Sequence, residues 1–279
     1  MNSSEILFRS SYAGYLMVEP KKKSESISEA TKTHLVDCFV SAMYGRREEI
    51  TGKFLEKGNE REEDSITLLS RVKKIFFKKN EDNLKNTFIS GTPDLFLGES
   101  IKKADETLDT KTSWSAHTFF RAQKKELDDM YYWQGQCYMA LTGASKHTVA
   151  YCLVNGTESA IISEKRRLAW RMNLIDPQAS EEYKSKCRQI EINHIFDLKA
   201  FMNECPHFEF DNDVNTWAYD IPMNERVFAI EFERNSEDIE RLYKRINDCR
   251  KWMNKNLFKP SILLTTHEPD HDIVMVQKG

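Results

Sequence analysis

The sequence has no run approaching the roughly 18–20 apolar residues a transmembrane helix needs, so no membrane span is expected. Its first residues, MNSSEILFRSSYAGYLMVEPKKK, lack a basic start followed by an apolar block, and no secretory signal is expected either. There is no C-x-x-C. The six cysteines (Cys38, Cys137, Cys152, Cys187, Cys205 and Cys249) are dispersed. That dispersal argues against a zinc knuckle and against a cysteine-held iron–sulfur cluster, and it fits reduced thiols in the cytoplasm. Internal repeats and low-complexity linkers are also missing. With a net charge of −3 there is no bulk excess of basic residues to suggest nucleic acid.

What is present is an ordinary globular composition: 279 residues, 40% hydrophobic and 30% charged, enough to bury a substantial core. The charge is uneven, with local basic runs at 20–23 (PKKK), 71–79 (RVKKIFFKK) and 164–171 (EKRRLAWR). Such runs are commonly solvated helix faces; together they permit phosphate contacts without requiring them.

Periodicity predicts a helix over 26–44, with Ser26 and Glu29 at capping-box spacing. It predicts another from about Glu60 to Lys73, where Glu62, Ile66 and Leu69 share one side. Residues 87–97 and 105–112 read as two strands joined by a polar turn containing Gly98, Glu99 and Lys102. A long helical stretch over 116–142 ends at Gly143, a plausible cap. A strand over 147–155, helices over 158–174 and 178–204, a strand over 226–233 and a last helix from Ser236 to about Lys255 complete the chain. The order predicts a mixed α/β domain with a central sheet flanked by helices.

The chemistry concentrates in GTPDLFLGESIKKADETLDTKTSW, residues 91–114. In a strand, Asp109 and Lys111 project from the same face and Thr110 from the other. Asp94 lies on the neighbouring predicted strand, so Asp94 and Asp109 can approach one ion. Hydrolysis of a phosphodiester needs neutralised phosphate charge, an activated water and a stabilised leaving oxygen. Mg²⁺ takes carboxylates, backbone carbonyls and waters, a set that Asp94, Asp109 and the Thr110 carbonyl can supply. Lys111 can orient or deprotonate the attacking water, with its pKa lowered by an adjacent metal. Gly91 and Pro93 shape the chain before Asp94.

Pro93-Asp94 followed by Asp109-Thr110-Lys111 resembles the core signature of the PD-(D/E)xK nuclease superfamily. KGNEREEDSITLL (57–69) resembles the helix of phage lambda exonuclease-like proteins in which a glycine precedes a metal-binding glutamate by four residues; Gly58 and Glu62 occupy those places. YYWQGQCYMALTG (131–143) resembles the helix after the D-x-K strand in the same proteins and in RecB-type nucleases, with Gln134 and Tyr138 in its Q-x-x-x-Y pattern. The resemblance covers roughly 54–155, the expected catalytic core. It leaves 1–50 as an N-terminal helical segment and 156–279 as a C-terminal elaboration of a single domain.

The resemblance implies a restriction-endonuclease-like core and a DNA exonuclease of the lambda exonuclease/YqaJ type. Such an enzyme resects linear duplex from 5′ ends for phage-type recombination, inside a bacterial or phage-infected cell. It implies Mg²⁺, with Mn²⁺ an alternative, held by Glu62, Asp94, Asp109 and the Thr110 carbonyl. Lys111 would position water, Gln134 would hold that water or a phosphate, and Tyr138 would support the same surface. It also implies a 5′-phosphate pocket near the start of the chain, where Arg9, Ser10 and Ser11 supply suitable groups without the family's usual spacing. DNA, a single-strand annealing protein and further copies of the chain are the implied partners. A structure-specific or single-strand endonuclease with the same core, or an inactive DNA-binding scaffold, are the other readings. Glu60 and Glu63 are fallback acids for Glu62, and Asp105 is a rival to Asp109. His117 offers a hydrogen bond to helix or DNA, or a catalytic group, and Tyr131-Tyr132-Trp133 reads as core packing.

Overall fold

A computed structural model describes residues 2–48, 52–210 and 220–258. Residues 211–219 and 259–279, parts of the expected C-terminal elaboration, lie outside the described residues. The N-terminal part carries β1 (Phe8–Arg9), α1 (Ala13–Met17), α2 (Glu29–Tyr44), α3 (Lys53–Glu60) and α4 (Glu62–Lys73). Four strands follow: β2 (Leu84–Lys85), β3 (Ile89–Gly91), β4 (Leu95–Gly98) and β5 (Ala104–Thr112). After them come α5 (Ala116–Ala122), α6 (Asp129–Thr142), β6 (Lys146–Cys152), α7 (Glu158–Arg171), α8 (Glu181–His194), α9 (Leu198–Glu204), β7 (Val227–Glu233) and α10 (Ser236–Asn256).

The main sheet has the order β4-β5-β6-β7, with only the β5/β6 pair parallel. A parallel pair needs a crossover, and α5 and α6 supply it. The period-two alternation of β5 then divides the sheet. Leu108 with Ala150, Cys152 and Leu95 faces Ile66 and Leu69 of α4. Asp109 and Lys111 face the opposite side, the side of α6. Behind α6 lies a largely helical layer in which Leu16, Leu35, Trp133, Cys137, Leu242 and Ile246 are buried together. Among the described residues no helix is long and apolar enough to cross a membrane. All six cysteines are free thiols.

The mixed α/β architecture matches the expectation, and the differences have local causes. The expected strand 87–97 is two strands in two sheets. β3 pairs with β1 and β2 in a small sheet, and Pro93, which has no amide hydrogen, falls in the gap before β4. The expected helix from Glu60 is interrupted at Arg61 (φ −114°, ψ 13°), which separates Gly58 on α3 from Glu62 on α4. The expected 116–142 helix breaks between α5 and α6, where Asp128 caps α6 through the Met130 amide. Gly143 does end α6, at φ 84°. Helix α2 is capped by Ser28 rather than Ser26, and Asn235 rather than Ser236 caps α10.

Candidate active site

The pairing of β4 with β5 runs from Gly98 opposite Ala104 to Leu95 opposite Leu108 and stops there. One residue further, Asp94 continues the contact with its side chain. Its Oδ2 accepts from the Thr110 amide at 2.7 Å and from the Thr110 hydroxyl at 3.1 Å. Backbone groups of one strand residue point to one side, so the Thr110 carbonyl faces the same edge as the Asp94 carboxylate. Asn80 fixes this corner from behind: its amide donates to the Asp94 carbonyl at 2.7 Å and its Nδ2 to the Pro93 carbonyl at 2.9 Å.

Asp109 is buried on β5. Its Oδ2 accepts from Lys111 Nζ at 2.9 Å, whereas its Oδ1 is buried with no hydrogen-bond partner. Lys111 Nζ also reaches Gln134 Oε1 at 3.4 Å and lies over the Tyr131 ring, 4.7 Å from its centre. Gln134 donates through Nε2 to the Tyr138 hydroxyl at 2.8 Å, one helical turn along α6. Strand β5 and helix α6 therefore hold Asp109, Lys111, Gln134 and Tyr138 in one hydrogen-bonded chain.

The electrostatics follow from crowding charge in a poorly hydrated place. Burial, and then the neighbouring charge of Asp109, lift the Asp94 carboxyl to about 7, against the lowering influence of Lys111 and the Thr110 amide. Burial disfavours the Lys111 ammonium, but the Asp109 and Asp94 carboxylates outweigh it and hold the group above its ordinary range. With no ion between the two carboxylates, the lysine is a protonated donor. Burial, followed by Asp109, raises the Tyr138 hydroxyl. Behind Tyr138, His147 bonds Thr107 at 2.8 Å, and burial drives its imidazole down to about 4, so the ring is neutral.

Glu62 begins α4 and is half-buried, while Glu60 and Glu63 are exposed. Its carboxylate is close enough to raise the Asp94 carboxyl, yet its nearest cation is Lys79, at 2.8 Å. Among the described residues no three His, Cys, Asp or Glu side chains converge into a ready ligand cluster. A hard divalent cation nevertheless fits the Asp94–Asp109 corner. The orphaned Oδ1 of Asp109 lacks a partner, Asp94 lacks full charge compensation, and Thr110 turns a carbonyl to the same edge.

Of the three N-terminal candidates, β1 brings Arg9 beside Ser90 of β3, four residues before Asp94. Arg9 is exposed and lies over the Tyr12 ring at 5.7 Å. Ser11 is exposed too. Ser10 is not: it is buried, donates its hydroxyl to the Ser90 carbonyl at 3.0 Å, and packs against Gly91. Asp105 is exposed at the far end of β5, and His117 is exposed on α5, so neither joins the corner. The aromatic run divides. Trp133 is core, but Tyr131 sits on Lys111 and belongs to the site. Sequence reasoning also missed Lys79 and Asn80. The only signal for Lys79 was the basic run ending there, and Asn80 carried none.

No family model matches the chain, and a comparison with curated proteins gives no match. Solved structures do match. A phage-related exonuclease from Haemophilus somnus 129PT aligns with a TM-score of 0.63 at 21% identity, covering 90% of this chain and 95% of that one. An alkaline exonuclease from Laribacter hongkongensis aligns at 0.55 and 9% identity, covering 91% and 90%. Its complex with dAMP aligns at 0.53 and 11% identity. Over nearly its whole length, this chain has the fold of these phage-related and alkaline exonucleases.

Proposed function

We propose that the protein is a metal-dependent DNA exonuclease that resects linear duplex from 5′ ends. The observation that carries this reading is the β4–β5 corner. There Asp94 and Asp109, one with a buried and unpartnered oxygen, stand beside a charged Lys111, on a fold shared with two exonucleases. That one of those enzymes has been crystallised with dAMP supports a deoxynucleotide substrate class.

Asp94, Asp109 and the Thr110 carbonyl would hold Mg²⁺ or Mn²⁺, with Glu62 joining them once released from Lys79. The bound ion supplies charge neutralisation for the phosphate and a more acidic water. The chain's own groups do the rest. Lys111 Nζ, protonated and steadied by Asp109, Gln134 and the Tyr131 ring, donates to an oxygen at the reacting phosphate and draws the attacking water into line. Gln134 is locked by its own bond to Tyr138, so the lysine head group is aimed before substrate arrives. Asn80 keeps Asp94 on the edge where β4 leaves β5. A cytoplasmic setting, assembly into homo-oligomers and cooperation with a single-strand annealing protein extend the same reading.

The test is digestion of 5′-phosphorylated linear duplex, 5′-hydroxyl duplex and closed circles, each with Mg²⁺ or EDTA. Mononucleotides released only from linear DNA and only with metal are the expected result. Nicking of closed circles would replace this reading with an endonuclease, and no cleavage under any condition would leave a scaffold.

A further inference from the structure

Beyond the metal corner, the crossover between β5 and β6 carries a second cationic feature. Ala116, His117, Phe120, Arg121, Lys124 and Lys125 line an open cleft of about 500 Å³ along α5 and the turn after it. Phe120 is 42% exposed. Among the described residues Arg121, Lys124 and Lys125 have no carboxylate within ion-pairing distance, whereas Lys79, Lys111, Lys146 and Lys165 are all paired. Arg121, in the last turn of α5, also complements the helix dipole, but Lys124 and Lys125 lie past the helix and have no such use. The acids that follow, Glu126, Asp128 and Asp129, are exposed and do not line the cleft.

The cleft is tied to the site by two sets of contacts. The buried Lys57 donates to the carbonyls of Ser113 and Trp114 at 2.9 and 3.1 Å, which pins the turn leading from Lys111 into α5. A continuous series of rings runs from the site outward. Tyr131 covers Lys111 and meets Tyr151; Tyr151 stacks on Phe228 at 4.5 Å; Phe228 meets Phe119; and Phe119 meets Phe120 at 5.2 Å. The exposed ring of the cleft is thus the outer end of an aromatic wall whose inner end holds the active-site lysine.

We propose that this cleft binds single-stranded DNA, with Arg121, Lys124 and Lys125 on its phosphates and a base stacked on Phe120. Unneutralised cations call for a polyanion. An exposed ring among them suits an unpaired base, because a duplex presents few base faces. The assignment of the strand as DNA at the active site rests on the nuclease reading above.

The test is binding of a fluorescent oligo-dT by anisotropy in EDTA, so that it reads out without cleavage. The full chain is compared with R121A/K124A/K125A and with F120L, after thermal melting shows that each variant folds. The triple variant is expected to lose at least about tenfold in affinity, and the salt slope should flatten by about 2, close to 0.7 per lost phosphate contact. F120L should weaken binding several-fold with the slope unchanged. Duplex of equal length should compete poorly. Unchanged affinity in the triple variant, or duplex competing as well as the single strand, would overturn the proposal. Failure of cleavage with intact, cleft-dependent binding would instead count against the nuclease reading alone.

Discussion

Asp94 Oδ2 accepts from the Thr110 amide at 2.7 Å and so takes the place of a backbone acceptor at the point where β4 parts from β5. One carboxylate therefore both closes the sheet edge and faces Asp109, whose own Oδ1 has no partner. Metal binding and lysine function should then separate. On the proposed metal role, Mg²⁺ should raise stability by about 2.7 kcal/mol at a hundred times its dissociation constant, and Asp109→Ala should abolish that rise. Lys111→Ala should keep most of that rise yet lose at least about a hundredfold in cleavage rate. Wild-type cleavage in either variant would remove the corner from the mechanism.

The Glu62–Lys79 pair, at 2.8 Å, sets a competition for the same carboxylate. Glu62→Gln is expected to weaken Mn²⁺ binding and cut activity, while Glu60→Gln and Glu63→Gln, at exposed positions, stay near wild type. Lys79→Met should have the opposite sign and tighten Mn²⁺ binding, because it frees Glu62 to turn toward Asp94. A titration in which Lys79→Met binds Mn²⁺ more weakly would show that the lysine supports the corner rather than competing for its acid.

Much of this neighbourhood was legible in the sequence because it depends on short spacings. The two-residue step from Asp109 to Lys111 fixes a shared strand face, and the four-residue step from Gln134 to Tyr138 fixes a shared helix face. What was hidden depends on pairing between distant segments. Ser10 is consumed by Ser90 only because β1 lies beside β3, and Asn80 reaches Pro93 and Asp94 only because the segment after α4 passes behind them. The cap of α2 illustrates the same limit. Ser26 has the better local pattern, but the Ser28–Thr31 pair is chosen where Thr31 can also donate to the Tyr15 carbonyl.

Lys57 gives a pH signature. Burial, and secondarily Arg61, lower its ammonium to about 7 from an ordinary value near 10.5. Between those values the unfolded chain binds the extra proton, so stability rises with pH through this window; below pH 7 both states are protonated and the contribution is flat. The slope from this one group is at most about 1.4 kcal/mol per pH unit. Chemical denaturation of wild type and Lys57→Met from pH 6 to 8.5 should give curves whose difference changes above pH 7. A constant difference across that range would show that Lys57 stays charged in the fold.

Arg9 is exposed beside Ser90, and with Ser10 turned inward only Arg9 and Ser11 remain open to a terminal phosphate. A terminal phosphate carries more charge than an internal diester, so a guanidinium can select it. Arg9→Ala should reduce the preference for 5′-phosphorylated over 5′-hydroxyl ends by about 1.5–3 kcal/mol, and Ser10→Ala should not alter that preference. Equal digestion of both ends by the wild type would show that Arg9 serves only the surface around Tyr12.

Gly91 marks where the N-terminal segment and α6 close on the chain that leads to Asp94. A Cβ at this position would stand 2.4 Å from Ser10 Oγ, 2.9 Å from Ser10 Cβ and 2.7 Å from a ring carbon of Tyr138. The serine hydroxyl could rotate away, but the serine Cβ is fixed by its backbone. The tyrosine ring is buried, and its hydroxyl is tied to Gln134. Gly91→Ala must therefore displace either β1 or Tyr138. Overpacking of this kind costs about 1–3 kcal/mol. Because Tyr138 steadies Gln134 and Gln134 steadies Lys111, the loss of activity should exceed what the stability loss explains: well below the melting temperature, cleavage should fall at least about tenfold with metal binding retained. A double variant, Gly91→Ala with Tyr138→Phe, separates the two routes. Removing the hydroxyl leaves the ring and its clash in place, so stability should stay low while the further loss of activity is less than additive. Full activity in Gly91→Ala would show that the Tyr138–Gln134–Lys111 chain tolerates movement and does not aim the lysine.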